Sequence, residues 1–163
     1  MATVRRGVDA GGVESTRKET AMGRTTQEIV RRFYEEVMGD GHISALDELA
    51  TADYEEHDPL PGQGEGLSGL KARSSMLRDG LAPHFTVEDV IGQGDKLVVR
   101  WTNSGKHVGD FLGIPPTNKS FSIAGVDIFR LEEGKLAEHW HVVDQLSMLQ
   151  QLGLIPAPEG ADA

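Results

Sequence analysis

The sequence predicts an α+β fold in which N-terminal helices pack against a curved antiparallel sheet. Apolar residues recur with helical spacing within residues 25–81, and apolar and polar residues alternate within residues 85–144. Turn residues separate the alternating segments at positions 92–95 and 132–134. Helices followed by a strand-rich meander are typical of the α+β class. A strongly curved sheet wrapped over the helices would enclose a pocket.

Three helices are predicted before the sheet. Thr25 and Glu28 form a capping-box pattern at the start of the first helix. The inward stripe of this helix is apolar and consists of Ile29, Val30, Phe33, Val37 and Met38. A short second helix is indicated at residues 43–49. Ser68 is the expected N-cap of a third helix, which ends before Pro83.

The rest of the chain is predicted to form loops, four strands and a closing helical turn. Residues 51–66 are rich in acidic residues, Pro and Gly, and we expect a loop there. The strands are predicted at residues 85–91, 96–103, 121–131 and 136–144. An irregular segment is expected at residues 105–119, and the closing helical turn at residues 146–152.

The length of 163 residues favours one domain with a substantial core. We assign residues 25–153 to this domain. Residues 1–24 have almost no large apolar side chains and are predicted to be a disordered extension, within which Met22 is an alternative start. Residues 154–163 are predicted to be a flexible tail. No apolar run approaches about 18 residues, so we expect no membrane-spanning segment.

Composition narrows the classes of function. The net charge of −10 argues against nucleic-acid binding, which needs a basic surface, and is typical of a cytoplasmic protein. The absence of cysteine excludes disulfides, thiolate metal sites and cysteine nucleophiles. Motifs for nucleotide binding, zinc proteolysis and α/β-hydrolase chemistry are missing. Acid/base catalysis without a cofactor is the simplest chemistry that remains.

The last predicted strand is unusually polar for a buried strand. Alternation puts Trp140 and Asp144 on one face of it and His139 and His141 on the other. We expect Asp144 to face an apolar cavity beside Trp140. Desolvation there would raise the pKa of the carboxyl group and suit it to general acid/base catalysis. The alternative is a solvated Asp144 that caps the following helix.

Asp127 lies in the middle of another predicted strand, so its carboxylate must be paired or face a polar cavity. Arg100 is a possible partner. If Asp144 faces solvent and Asp127 faces inward, Asp127 becomes the candidate base. His139 and His141 have a spacing that zinc sites use, but no motif supplies a third ligand, so no metal site is predicted.

Three segments resemble the SnoaL-like polyketide (ester) cyclase family. Residues 105–119 are similar to its GTHxGxFxGxPPTGK segment, and residues 125–140 resemble its GxDIFRxxxGKIxEHW strand pair. Asp144 and residues 148–153 resemble its closing D…LLxQLG. His141 stands where relatives often have Asp. The resemblance runs from about residue 25 to residue 153.

This resemblance implies the fold of the nuclear transport factor 2 superfamily, a cone-shaped α+β barrel closed by three N-terminal helices and usually paired as a homodimer through the sheet. It also implies an intramolecular aldol condensation on a small hydrophobic polyketide-like substrate, with no metal and no cofactor. By position, Asp144 matches the family's acid/base residue, and His57 and His107 match its pocket-lining histidines.

Several further residues are candidates for substrate contact. Aromatic and apolar side chains that suit a flat polyketide are Trp140, Trp101, Phe111 and Leu112, to which we add His141 and Phe33. Core packing is the alternative for the two tryptophans, and an exposed loop position is the alternative for His57. An epoxide hydrolase of the limonene type remains possible, with Arg100 and Asp127 supplying part of its Asp-Arg-Asp set. A non-catalytic binding or dimerisation module is the third alternative.

Overall fold

The computed structural model describes residues 26–157. The predicted extension at residues 1–24, the cap at Thr25 and residues 158–163 of the predicted tail therefore lie outside the described part of the chain. Within residues 26–157, no helix combines the length and apolarity needed to cross a bilayer.

Four helices are present in the described residues. Helix α1 covers residues 26–39, with π-helical hydrogen bonding over Arg32–Gly39. A 3₁₀ turn at Ile43–Ala45 leads into α2, Leu46–Leu49. Helix α3 is Gly66–Leu81, and α4 is Gln145–Gln151. The buried face of α1 contains the predicted apolar stripe and one tyrosine: Ile29, Val30, Phe33, Tyr34, Val37 and Met38.

The start of α3 differs from the prediction. The helix begins at Gly66, and Glu65 occupies the N-cap position without a capping side chain. Ser68 lies inside the first turn, where its hydroxyl donates to the carbonyl oxygen of Glu65 at 3.2 Å. A serine hydroxyl can bond to the backbone from within a helix as well as from its cap, so sequence alone did not distinguish these positions.

Five strands form one sheet in the described residues: β1, Ala50–Glu56; β2, His84–Gln93; β3, Lys96–Lys106; β4, Ser120–Glu132; and β5, Lys135–Val143. Their order across the sheet is β1-β5-β4-β3-β2. Neighbours are antiparallel except for β1 and β5, which are parallel. The sheet is curved and does not close, and the predicted α+β class is confirmed.

Strand β1 occupies part of the segment that was predicted to be a loop. It pairs with only one neighbour, and its register shifts between Ala50 and Glu55. Of its seven residues, Ala50 and Tyr54 alone are buried, so the alternation that identifies a strand is absent. The strand is important because its end places Glu56 beside His139, its partner on β5.

The concave face of the sheet carries the core. Side chains of β3 and β4 alternate strictly, and those that face the helices are buried: Leu97, Val99, Trp101, Asn103, Phe121, Ile123 and Phe129. Trp101 lies opposite Gly125 on β4, and its ring meets that of Phe85 edge-on at 5.1 Å. A Cβ atom at position 125 would overlap the indole ring. Glycine at this position therefore lets Trp101 lie across β4.

The substitution Gly125→Ala should destabilise the fold by about 1–3 kcal/mol, because an overpacked core must shift a ring or the backbone. Urea unfolding followed by circular dichroism measures the change. Gly92→Ala is the matched control, since Gly92 is also in a strand and a Cβ there meets no atom closer than 3.9 Å. The packing account is contradicted if the two variants lose equal stability.

Candidate active site

A cavity of about 240 Å³ lies between the concave face of the sheet and the helices. This is slightly below the usual range for ligand cavities, roughly 300–1,000 Å³. Most of its wall is apolar and comes from α1, α3, α4 and the segment after β3. Polar side chains gather where β4 and β5 meet α1 and α3.

Asp127, Tyr34 and His139 form the centre of this polar group, and all three line the cavity. The Tyr34 hydroxyl donates to Oδ2 of Asp127. Nε2 of His139 lies 3.3 Å from Oδ1 of Asp127, which is within ion-pair distance. Asp127 is 6% exposed and His139 is 4% exposed, so the three groups interact with little screening by water.

Glu56 lies behind these residues and does not line the cavity. Its Oε2 atom is 2.7 Å from Nδ1 of His139, and its Oε1 atom is 3.5 Å from Nδ1 of His141. The Arg73 guanidinium donates to Oε2 of the same carboxylate. His139 is thus held between two carboxylates, those of Glu56 and Asp127. Its ring stacks on Phe129 at 4.6 Å.

The charges of this group follow from its contacts. Burial by itself lowers the pKa of His139, but the hydrogen bonds and charges of Asp127 and Glu56 outweigh it and raise the pKa above 6.5. Burial raises the pKa of Glu56, but hydrogen bonds from His139 and His141 and the charges of His139 and Arg73 bring it well below its usual range. Glu56 is therefore ionised near neutral pH, and the two carboxylates favour the protonated form of His139 more than water does.

Tyr34 remains a hydrogen-bond donor under the same conditions. Burial, followed by the charge of Asp127, raises the pKa of Tyr34 well above 10. Its hydroxyl proton is therefore retained, and the contact with Asp127 is a donated hydrogen bond. The cavity thus presents a carboxylate flanked by a neutral hydroxyl donor and by an imidazole ring whose pKa is raised.

Three possible metal ligands occur together here. One ligand atom each from Glu56, His139 and His141 lies within 4.8 Å of the others. The Arg73 guanidinium occupies the same place, because it donates to Glu56 and its Nη2 atom lies 3.4 Å from Nδ1 of His141. A metal ion would meet this positive charge. The arrangement therefore fits a hydrogen-bonded network better than a metal site.

Most of the site residues predicted from the sequence line the cavity: Asp127, His107, Trp101, Phe111, Leu112, His141 and Phe33. Asp144, His57 and Trp140 do not.

Asp144 is exposed and is the N-cap of α4, so the expectation that it faces the cavity is wrong. It accepts hydrogen bonds from the backbone N–H of Ser147 at 3.1 Å and from the Ser147 hydroxyl at 2.7 Å. The hydroxyl and then the backbone N–H lower the pKa of Asp144, the opposite of the predicted direction. The predicted alternation along β5 is present, but His139 and His141 are on the cavity side.

Trp140 and His57 lie together on the outer side of β5. Their rings stack in parallel at 4.2 Å, and the Lys96 ammonium lies 4.0 Å from the Trp140 ring. Nε2 of His57 is 2.9 Å from a carboxylate oxygen of Glu138. These contacts join His57, which directly follows β1, to strand β5. They explain the positions of both side chains, and neither side chain needs a role in the cavity.

The proposed pairing of Asp127 with Arg100 is also wrong. Asp127 lies opposite Val99, so the next residue on β3 points to the outer face. Arg100 is exposed there, and its Nε atom donates to Asp89 at 2.6 Å. The partners of Asp127 are Tyr34 and His139 instead.

Four important residues were missed as site residues: Tyr34, Glu56, Arg73 and His139. Arg73 follows Leu70 by three positions, so an arginine on the apolar side of α3 was a signal present in the sequence. Tyr34 likewise follows Val30 by four positions on the inward stripe of α1. Glu56 gave no such signal because β1 has no alternating pattern.

Residues 28–152 match the SnoaL-like polyketide cyclase family, and the chain belongs to that family. The solved structure of TsrD from Streptomyces laurentii is similar, with a TM-score of 0.74 and 32% sequence identity; the match covers 81% of this chain and 97% of TsrD.

Two curated relatives match a shorter segment. Aklanonic acid methyl ester cyclase DnrD of Streptomyces peucetius is 39% identical over 57 residues, covering 34% of this chain and 39% of DnrD. Nogalonic acid methyl ester cyclase of Streptomyces nogalater is 41% identical over 49 residues, covering 30% of this chain and 37% of that protein. The matches thus span less than half the length of these two relatives.

Glu56→Gln should lower the pKa of His139, because it removes one of the two negative charges that favour the imidazolium. Titration of the ¹⁵N resonances of the His139 ring measures this pKa. Glu55→Gln is the control, because Glu55 is an exposed neighbour whose only ion-pair contact in the described residues is with His57 at 3.8 Å. Equal pKa values in the two variants would exclude control of His139 by Glu56.

Proposed function

We propose that this protein is a polyketide cyclase that closes a ring by intramolecular aldol condensation, with Asp127 as the acid/base residue. The observation that carries this assignment is the Asp127 carboxylate, which lines a largely apolar cavity between Tyr34 and His139. Family membership supports the class of reaction. Two relatives bear the names aklanonic acid methyl ester cyclase and nogalonic acid methyl ester cyclase.

In the proposed reaction, Asp127 removes a proton from a carbon flanked by carbonyl groups. The resulting enolate carbon attacks a ketone carbon of the same molecule, so that a C–C bond forms while the electron pair of the C=O π bond moves to oxygen. The Asp127 carboxyl group then returns its proton to the new alkoxide. Atoms and electrons balance within the substrate, and the product is an isomer of it.

The demands on the base are modest because a C–H between two carbonyl groups is already acidic. The larger contribution of the protein is to hold the two reacting carbons near attack geometry, which lowers the entropic barrier. Apolar walls that include Phe33, Trp101 and Phe111 suit a flat polyketide. Tyr34 and His139 hold the carboxylate in place and present hydrogen-bond donors beside the reacting atoms.

Asp127→Asn should reduce turnover by at least about 10²-fold, the usual contribution of a positioned acid/base group. The assay incubates each purified variant with aklanonic acid methyl ester and nogalonic acid methyl ester, and separates the isomeric products by chromatography. Asp144→Asn is the control and should keep wild-type activity and stability, because Asn is as good an N-cap as Asp. Loss of activity in Asp144→Asn with full activity in Asp127→Asn would return the role to Asp144.

The two alternative functions give different outcomes in the same assays. An epoxide hydrolase would convert limonene oxide to a diol and incorporate ¹⁸O from labelled water. A non-catalytic module would bind these substrates without converting any of them, and binding would persist in Asp127→Asn. Arg100, which the hydrolase hypothesis uses beside Asp127, is exposed on the outer face of the sheet.

Assembly as a homodimer through the outer face of the sheet is part of this proposal. Three apolar side chains are exposed on that face: Val142 at 75%, Ile91 at 64% and Ile128 at 37%. We expect a dimer in sedimentation velocity and a shift towards monomer in Val142→Asp, which places a charge in the contact. Leu146→Asp is the control, since Leu146 is exposed on α4 instead. A monomeric wild-type protein at all concentrations would disprove the contact.

A further inference from the structure

The cavity has a second polar region formed by Trp101, Asn103 and His107. Trp101 and Asn103 alternate along β3, and His107 follows directly after that strand. Asp127 lies opposite Val99, so these three residues lie progressively further along β3 from the carboxylate. The polar atoms of these three side chains have no role in the proposed proton transfer.

His107 acts as a hydrogen-bond donor through its Nε2 atom. The ring is 1% exposed, and its Nδ1 atom accepts the backbone N–H of Thr117 at 3.2 Å. A neutral imidazole carries one N–H, so an Nδ1 atom that accepts leaves the proton on Nε2. This Nε2 atom is buried and has no hydrogen-bond partner among the described residues.

The orientation of His107 is fixed by its backbone as well. Its N–H donates to the carbonyl of Lys119 at 3.0 Å, and its carbonyl accepts from the N–H of Asn118 at 2.9 Å. Asn118 has a positive φ of 58°, which Asn tolerates better than most residues. The backbone at His107 is therefore held in place, while burial and the Nδ1 contact with Thr117 hold the ring.

Trp101 and Asn103 add donors of the same kind. The indole Nε1–H of Trp101 is buried and has no partner in the described part of the chain. Oδ1 of Asn103 accepts the backbone N–H of His84 at 3.2 Å, so the amide NH₂ is the group left for a ligand. The acceptor atoms of Asn103 and His107 are thus already used by the protein.

We propose that Trp101, Asn103 and His107 form a subsite, a row of donor-only positions along the cavity wall that bind carbonyl oxygens of the substrate and thereby determine which C–H faces Asp127. A carbonyl oxygen has lone pairs and no proton, so it complements such a site, whereas a hydroxyl group would leave its own proton unpaired. A buried donor without a partner is unfavourable, so a ligand acceptor at this place gains affinity.

The chemistry also favours a neutral carbonyl over a carboxylate. None of the three side chains is a permanent cation, and the Arg73 guanidinium in the cavity wall is already paired with Glu56. The substrate class is therefore a flat apolar molecule with a ketone or quinone oxygen some distance from the acidic C–H. The role of this oxygen in orienting the reaction rests on the proposed cyclase function, but its binding does not.

The test compares 9-fluorenone with fluorene, which has the same three rings without the carbonyl. The wild-type protein should bind fluorenone about fivefold or more tightly than fluorene in a fluorescence titration, as one additional buried hydrogen bond implies. In ¹⁵N spectra, fluorenone should shift the Trp101 indole and His107 ring resonances. Trp140, on the outer face of the sheet, is the internal control and should not shift.

Two variants make the test specific. Trp101→Phe and His107→Phe keep an aromatic ring without the N–H, and at least one of them should reduce the ratio of the fluorenone affinity to the fluorene affinity. The subsite is disproved if wild-type protein binds both molecules equally, or if neither variant changes the preference. If the protein converts the methyl esters but binds fluorenone no better than fluorene, only the subsite is refuted. If it prefers fluorenone but converts neither methyl ester, only the cyclase function is refuted.

Discussion

A histidine held between two buried carboxylates connects most of this structure. His139 is on β5, Asp127 on β4 and Glu56 on β1, and Tyr34 and Arg73 bring α1 and α3 to the same group. Burying any one of these charges alone would be strongly unfavourable, so each depends on the presence of the others. The contacts that attach the edge strand and two helices to the sheet are therefore also the contacts that build the candidate active site.

The proposed function would separate two tasks within the cavity. The apolar wall would hold the substrate, and its shape rests on close packing such as that of Trp101 over Gly125. Asp127 would move protons, and the pKa of His139 beside it depends on Glu56, a residue that does not line the cavity. A substitution behind the wall can therefore change the chemistry without changing the space that a substrate occupies.

Much of the architecture could be predicted from periodicity, because helices and central strands bury one face and the burial repeats along the chain. The stripe on α1 and the alternation of β3 and β4 are examples. Strand β1 could not be found this way. It lies at an edge, its register shifts, and most of its side chains are not buried, so its place depends on β5 rather than on its own residues.

The sequence by itself determined that His139 and His141 lie on the opposite side of β5 from Trp140, because alternation is a local property of an extended strand. It also determined that Asp127 must find a partner. Only the tertiary structure decided which side of β5 faces the cavity. Both sides carry aromatic rings and groups that titrate, and the choice depends on where distant residues such as Tyr34 and Arg73 pack.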